Sequence, residues 1–143
     1  MKLPIAILTA LLCMRLTGAQ DCGCVKLNAD ETTRQGYSEI SLYIEEKPFK
    51  ILHGTAILNA TKEALENVFV EVFIAASDNS PLKRVTGCRT STDGKFCFTG
   101  LAKGKYILRF SKDGGFAITD IVVKVSPKSG RRREITGVVH LGT

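Results

Sequence analysis

The chain has 143 residues, 44% of them hydrophobic and 24% charged, with 13 glycines, five cysteines, no tryptophan and a formal net charge of +6. No internal repeat or low-complexity segment interrupts it, and the length suits one domain with a sizeable core. The basic excess is mild and scattered. Its single run, Arg131, Arg132 and Arg133, follows Pro127 and Gly130 and reads as a solvated turn, so no nucleic-acid partner is expected.

Residues 1–19 read as a signal peptide: Lys2 gives a positive start, an apolar run follows, and Thr17, Gly18 and Ala19 supply small residues for cleavage after Ala19. Arg15 arrives too early for the ~20 apolar residues a membrane span needs, so no transmembrane anchor is expected. Cys22 comes three positions late for lipid attachment. A secreted protein, extracellular or periplasmic, is the expectation. Without Lys2 and Arg15 the remainder carries 18 basic and 14 acidic residues, a net charge of +4.

Residues 20–48 form an N-terminal arm with a short edge strand. Residues 20–36 are polar without a period, whereas Ile40, Leu42 and Ile44 alternate until Lys47 and Pro48 stop the strand. The domain proper spans residues 49–143. In its first strand Leu52, Gly54, Ala56 and Leu58 share one face and Ile51, His53, Thr55 and Ile57 the other. Val68, Val70, Val72 and Ile74 then make the cleanest inward face, leaving Phe69, Glu71 and Phe73 outward. Asp93 and Gly94 form a tight turn before Phe96 and Phe98, and Leu101, Gly104 and Tyr106 follow in the spacing of a tyrosine corner, whose phenol hydroxyl bonds back to upstream backbone. Tyr106, Leu108 and Phe110 alternate inward, as do Ile121, Val123 and Val125, and residues 135–141 close the set. Seven strands without a helix predict an all-β protein, a seven-stranded antiparallel Greek-key β-sandwich with an N-terminal extension.

The cysteines fit an oxidising compartment: Cys13 leaves with the signal and Cys22, Cys24, Cys88 and Cys97 remain, enough for two disulfides. With residues 91–94 taken as a hairpin loop, Cys88 stands opposite Cys97 and the two could join each other. That choice strands Cys22 and Cys24, whose one-residue separation strains a mutual bridge. The preferred reading has both N-terminal cysteines bridging to the hairpin and clamping the arm.

Gly54, Ala56, Val68, Val70, then Thr92, Asp93, Gly94, Phe96, Phe98, Gly100, Leu101, Gly104, Tyr106, and finally Gly115 and Phe116 form a series that resembles the carboxypeptidase regulatory-like domains, members of the wider prealbumin-like (transthyretin-like) sandwiches. The resemblance covers residues 51–141. It implies the sandwich fold and a non-catalytic role, as a module for protein interaction or a surface role.

Catalytic, cofactor and metal sites are all expected to be absent. The neutral-pH bases are His53 and His140, far apart in sequence; the resemblance to transthyretin-like hydrolases that place histidines on early and late strands keeps a hydrolase as a remote alternative. Cys22 and Cys24 lack a second ligand pair at structural-zinc spacing. Arg109 occupies the strand where related-looking adhesin sandwiches carry the acid for a self-formed crosslink, so none is expected. Asn59, Ala60 and Thr61 form a glycosylation sequon. The expected partner is a protein or, alternatively, a glycan. Phe69 and Phe73 mark the possible binding face, although residues 37–44 offer an apolar stripe that would cover them.

Overall fold

The computed structural model describes residues 23–31 and 40–141. The expected signal segment 1–19, Cys22 and residues 32–39, which include Tyr37 and Ser38 of the expected covering stripe, lie outside the described residues. Nine strands and no helix appear among the described residues: β1 (Val25–Lys26), β2 (Ile40–Ile44), β3 (Leu52–Leu58), β4 (Phe69–Ala75), β5 (Pro81–Arg89), β6 (Lys95–Phe98), β7 (Gly104–Ser111), β8 (Ile118–Val125) and β9 (Ile135–Val139). They build a six-stranded sheet in the order β1-β5-β4-β7-β8-β2 and a three-stranded sheet in the order β6-β3-β9.

Two features correct the sequence reading. Nine strands replace seven, and the sheets are mixed, because β2 runs parallel to β8 and β3 parallel to β9. The physical reason lies in connection length. A tight turn can only produce an antiparallel neighbour, whereas Ile40 and its partner Ile118 are separated by most of the chain and can meet in either direction. Side-chain alternation is blind to strand direction.

The core lies between the sheets, where period-two residues converge: Val68, Val70, Val72, Leu108, Phe110 and Val123 from the large sheet meet Leu52, Ala56, Phe96 and Val139 from the small one. Phe110 is fully buried and packs edge-on against Phe96, ring centres 5.3 Å apart. A Cβ at Gly137 would fall 2.3 Å from Cε1 of Phe110, so the ring occupies the space that this glycine leaves. The corner is equally direct, since Tyr106 is buried and its hydroxyl donates to the Ala102 carbonyl at 2.7 Å.

The stretch after Arg89 also departs from the hairpin reading. Thr90 stays tied to the large sheet, with its amide donating to the Val68 carbonyl at 3.0 Å and its hydroxyl to the Leu65 carbonyl at 2.7 Å. By Gly94, at φ +70°, the chain has reached the small sheet, where the Gly94 carbonyl accepts from Ala56 N at 2.8 Å. Residues 90–94 therefore cross between sheets. Cys88 lies beside Val70 and Lys26 in one sheet and Cys97 beside His53 in the other, so the two are not cross-strand partners. Cys24 and Cys88 form a disulfide with Cα atoms 5.7 Å apart, which rules out the Cys88–Cys97 bridge, and Cys97 is disulfide-bonded as well.

Two stability predictions follow from these contacts. Replacing Tyr106 by Phe removes one hydrogen bond and should cost about 1 kcal/mol, while Tyr106→Ala also empties core volume and should cost about 3–5 kcal/mol. Equal losses in urea unfolding would contradict the corner. The Cys24–Cys88 link joins residues 64 apart, and the double change to serine should lower stability by about 2–4 kcal/mol, read from the same curves.

Candidate functional site

Six strands cannot be covered by three. At about 4.8 Å per strand the large sheet exceeds its partner by some 14 Å, so its outer strands overhang on both sides. On the β1 and β5 side the overhang borders an open pocket of about 700 Å³, lined by Cys24, Cys88, Cys97, Phe98 and Leu101 and carrying the Cys24–Cys88 disulfide that ties β1 to β5. The other overhang is on the β2 side.

There a cleft of about 360 Å³ runs between two strands that each end a sheet, β2 and β9. Register gives each side chain its place. Ser41 and Tyr43 pair with Thr119 and Ile121 on the core side of β8, and Thr119 and Ile121 line the cleft beside Tyr43. Opposite stand Thr136, Val138 and His140. The Thr119 hydroxyl donates to the Val138 carbonyl at 2.8 Å and the Ala117 amide to the His140 carbonyl at 2.9 Å, pinning β9 to β8 at one end. At the other end Arg133 lies 4.0 Å above the Phe49 ring and donates to Glu45 Oε1 at 3.2 Å and to the Lys47 carbonyl at 2.8 Å.

Two polar atoms in this cleft are orphans. Nε of Arg133 and Nε2 of His140 are buried without a hydrogen-bond partner among the described residues, and both residues line the cleft. A second cavity of about 400 Å³, lined by Lys47, Pro48, Arg131 and Arg133, adjoins the Arg133 end. The run Arg131–Arg133, read from sequence as a solvated turn, keeps the Arg131 and Arg132 side chains exposed, while its backbone docks on residues 48–50 through Arg131 N to Pro48 O at 3.2 Å and Lys50 N to Arg131 O at 2.9 Å. Neither Tyr43, Arg133 nor the cleft was legible as a site. The apolar alternation of Ile40, Leu42 and Ile44 was the one available signal.

The aromatic face expected at Phe69 and Phe73 is a different kind of surface. Both rings are partly buried on the outer side of the large sheet, and the Arg109 guanidinium sits 5.3 Å from the Phe73 centroid. Between them the sheet register aligns Leu42, Asp120, Arg109 and Glu71 in one row across four strands. Arg109 forks onto both oxygens of buried Asp120 at 2.8 Å, and Arg84 reaches fully buried Glu71 at 3.3 Å. The hydrogen bond that Arg109 donates to Asp120 raises the Arg109 pKa above its ordinary value, against the burial that lowers it. Arg84 also donates to the Glu31 and Asn28 carbonyls and so holds the arm on this face. The expectation that residues 37–44 cover Phe69 and Phe73 is corrected for its described part: β2 pairs with β8 at the sheet edge, three strands away from β4, because its backbone finds a ladder there.

The two histidines do not converge. His53 opposes Cys97 near the start of β3, while the register of β9 carries His140 to the level of Asn59, about 20 Å further along. No group of three or more metal-ligating side chains and no helix long and apolar enough to cross a membrane occurs among the described residues.

No family model matches the chain, and no curated protein matches it. Among solved structures it is similar to the 3-chlorocatechol 1,2-dioxygenase of Rhodococcus opacus, at 11% identity over 92% of this chain and 77% of that one, with a TM-score of 0.37. A likeness that distant carries no functional argument.

Proposed function

We propose that this is a secreted, non-catalytic β-sandwich of the carboxypeptidase regulatory-like, prealbumin-like kind, and that it binds a protein partner along the β2 edge. One observation carries the reading. The last strand of the large sheet leaves Ile40, Leu42, Tyr43 and Ile44 at 50–55% exposure, beside backbone groups that no described strand pairs. Apolar, unpaired edges of this kind take up an additional strand, in which main-chain hydrogen bonds give affinity and alternate side chains give selectivity. Secretion is supported by the leader sequence and by the Cys24–Cys88 disulfide, which suits an oxidising compartment. The non-catalytic reading rests on the separation of His53 from His140. A glycan platform at Phe69 and Phe73 is disfavoured by the Arg109 cation lying over Phe73.

The test is a comparison of capture. The wild-type chain, immobilised in its oxidised form, should retain a defined set of proteins from the extracellular fraction of its source, and the variant Leu42→Lys/Ile44→Lys should lose at least about tenfold of that signal without losing stability. Two charges on an edge strand oppose strand addition while leaving the core intact. Equal capture by both proteins would remove the edge from consideration.

A further inference from the structure

We infer that the cleft between β2 and β9 receives an extended acidic peptide segment, added as a strand with its carboxylates at the Arg131–Arg133 end. The inference rests on the edge reading above and adds the chemistry of the occupant. Its starting point is the separation of the two orphan atoms. Arg133 and His140 lie at opposite ends of β9, about 20 Å apart along an extended chain, yet both line one cleft and both hold a buried nitrogen that no described residue satisfies. A small molecule reaches one of them and not both. A polymer lying along the seam reaches both.

A peptide strand fits that seam better than a sugar chain. The wall that offers a ladder is β2, whose outward N–H and C=O groups repeat at the spacing of another strand, while on β9 the Val138 and His140 carbonyls already accept from Thr119 and Ala117. Between them the floor alternates Thr119 and Ile121, and Tyr43 and Val138 add apolar surface for alternate side chains.

Charge decides the chemistry of the segment. Lys47, Arg131 and Arg133 line the cavity that continues the cleft, and Lys50 is bonded through its backbone to Arg131. Glu45 is already engaged by Arg133 and Glu46 lies 3.7 Å from Lys124, whereas Lys47, Lys50, Arg131 and Arg132 have no ion-pair partner among the described residues. The two acids that line the cleft, Glu45 and Glu134, are engaged by Arg133 and Lys95, so the mouth presents Lys47 and Arg131 without an ion-pair partner among the described residues. Arg133 is held flat on Phe49 with Nε unsatisfied, an arrangement that a carboxylate completes with little loss of side-chain freedom.

Fluorescence anisotropy of labelled eight-residue peptides tests this directly. The probes alternate valine and threonine and carry two glutamates at one end, made in both polarities; controls carry two lysines instead, and a uronate oligosaccharide serves as a competing polyanion. At least one acidic probe should bind, weaken about tenfold between 50 and 300 mM salt as screening requires, and lose about tenfold or more in affinity for Arg131→Glu/Arg132→Glu. Both of those side chains are exposed, so that variant keeps its fold where Arg133→Ala, which strips Phe49 and the Lys47 carbonyl of a contact, need not. Equal binding of the lysine-ended probes overturns the acidic assignment. Binding of the uronate with neither acidic peptide overturns the strand. Self-association that is blocked by Leu42→Lys and unaffected by the acidic probes assigns the cleft to a second copy and overturns the proposal. If protein capture depends on Leu42 and Ile44 while no acidic probe binds, the edge reading stands and this one falls; if capture is independent of the edge, both fall.

Discussion

The contact between Phe110 and the bare backbone of Gly137 fixes how the two sheets sit on one another. Phe110 projects from β7, near the middle of the six-stranded sheet, and its ring meets Gly137 on β9 and Phe96 on β6, the two outer strands of the small sheet. One side chain thereby centres three strands beneath six. A larger residue at 137 would push the ring aside, and in a close-packed interior that displacement has nowhere to go. The overhangs are the consequence of this centring. One carries the Cys24–Cys88 disulfide, which ties β1 to β5, while the other forms the cleft beneath β2.

Much of the sandwich can be read from the residues themselves, because burial on one face of a strand imprints a period of two. Val68, Val70 and Val72, then Tyr106, Leu108 and Phe110, carry that period and lie in the core. Strand direction and sheet membership leave no such imprint. The Asp93–Gly94 turn has the composition of a hairpin, yet Thr90 is anchored beside the large sheet by Val68 while Gly94 is anchored to the small one by Ala56, and these anchors are more than 20 residues away in the chain. Local turn chemistry is the same in both cases. The cleft was hidden for a related reason: it arises from a mismatch in strand number between sheets, and no single segment encodes that. His140 and the Arg131–Arg133 run each stood out by residue type, but only the register of β9 against β3 and the docking of Arg131 on residues 48–50 put them at two ends of one groove.

The outer side of the large sheet follows a different logic. Glu71, Arg109 and Asp120 sit in one cross-strand row, with Arg84 reaching in from β5. Buried ion pairs of this kind contribute little net stability, since each charge loses its hydration, but removing one partner leaves the other uncompensated. A slip of β7 by one residue relative to β8 would bring Arg109 opposite Thr119 or Ile121 and leave both charges unpaired. The row therefore acts as a register lock. Phe73, stacked under Arg109, belongs to that lock rather than to an exposed aromatic platform.

The lock bears on the edge. By fixing β7 against β8 it steadies the strand that β2 pairs with, where Leu42 stands beside Asp120 in the same row. An edge strand held this firmly is a rigid template, and a rigid template lowers the ordering cost that a joining strand would otherwise impose on both partners. Natural sheets blunt such edges with lysine, proline or a bulge. Here Lys47 and Pro48 lie just past the strand, and within Ile40–Ile44 no charge, proline or bulge interrupts the ladder with β8. An apolar edge that no described strand covers, set on a locked sheet, is a liability for a chain that must stay dispersed. It becomes an asset when the strand is meant to be covered, and the cations gathered at its Lys47 end limit which segments can cover it.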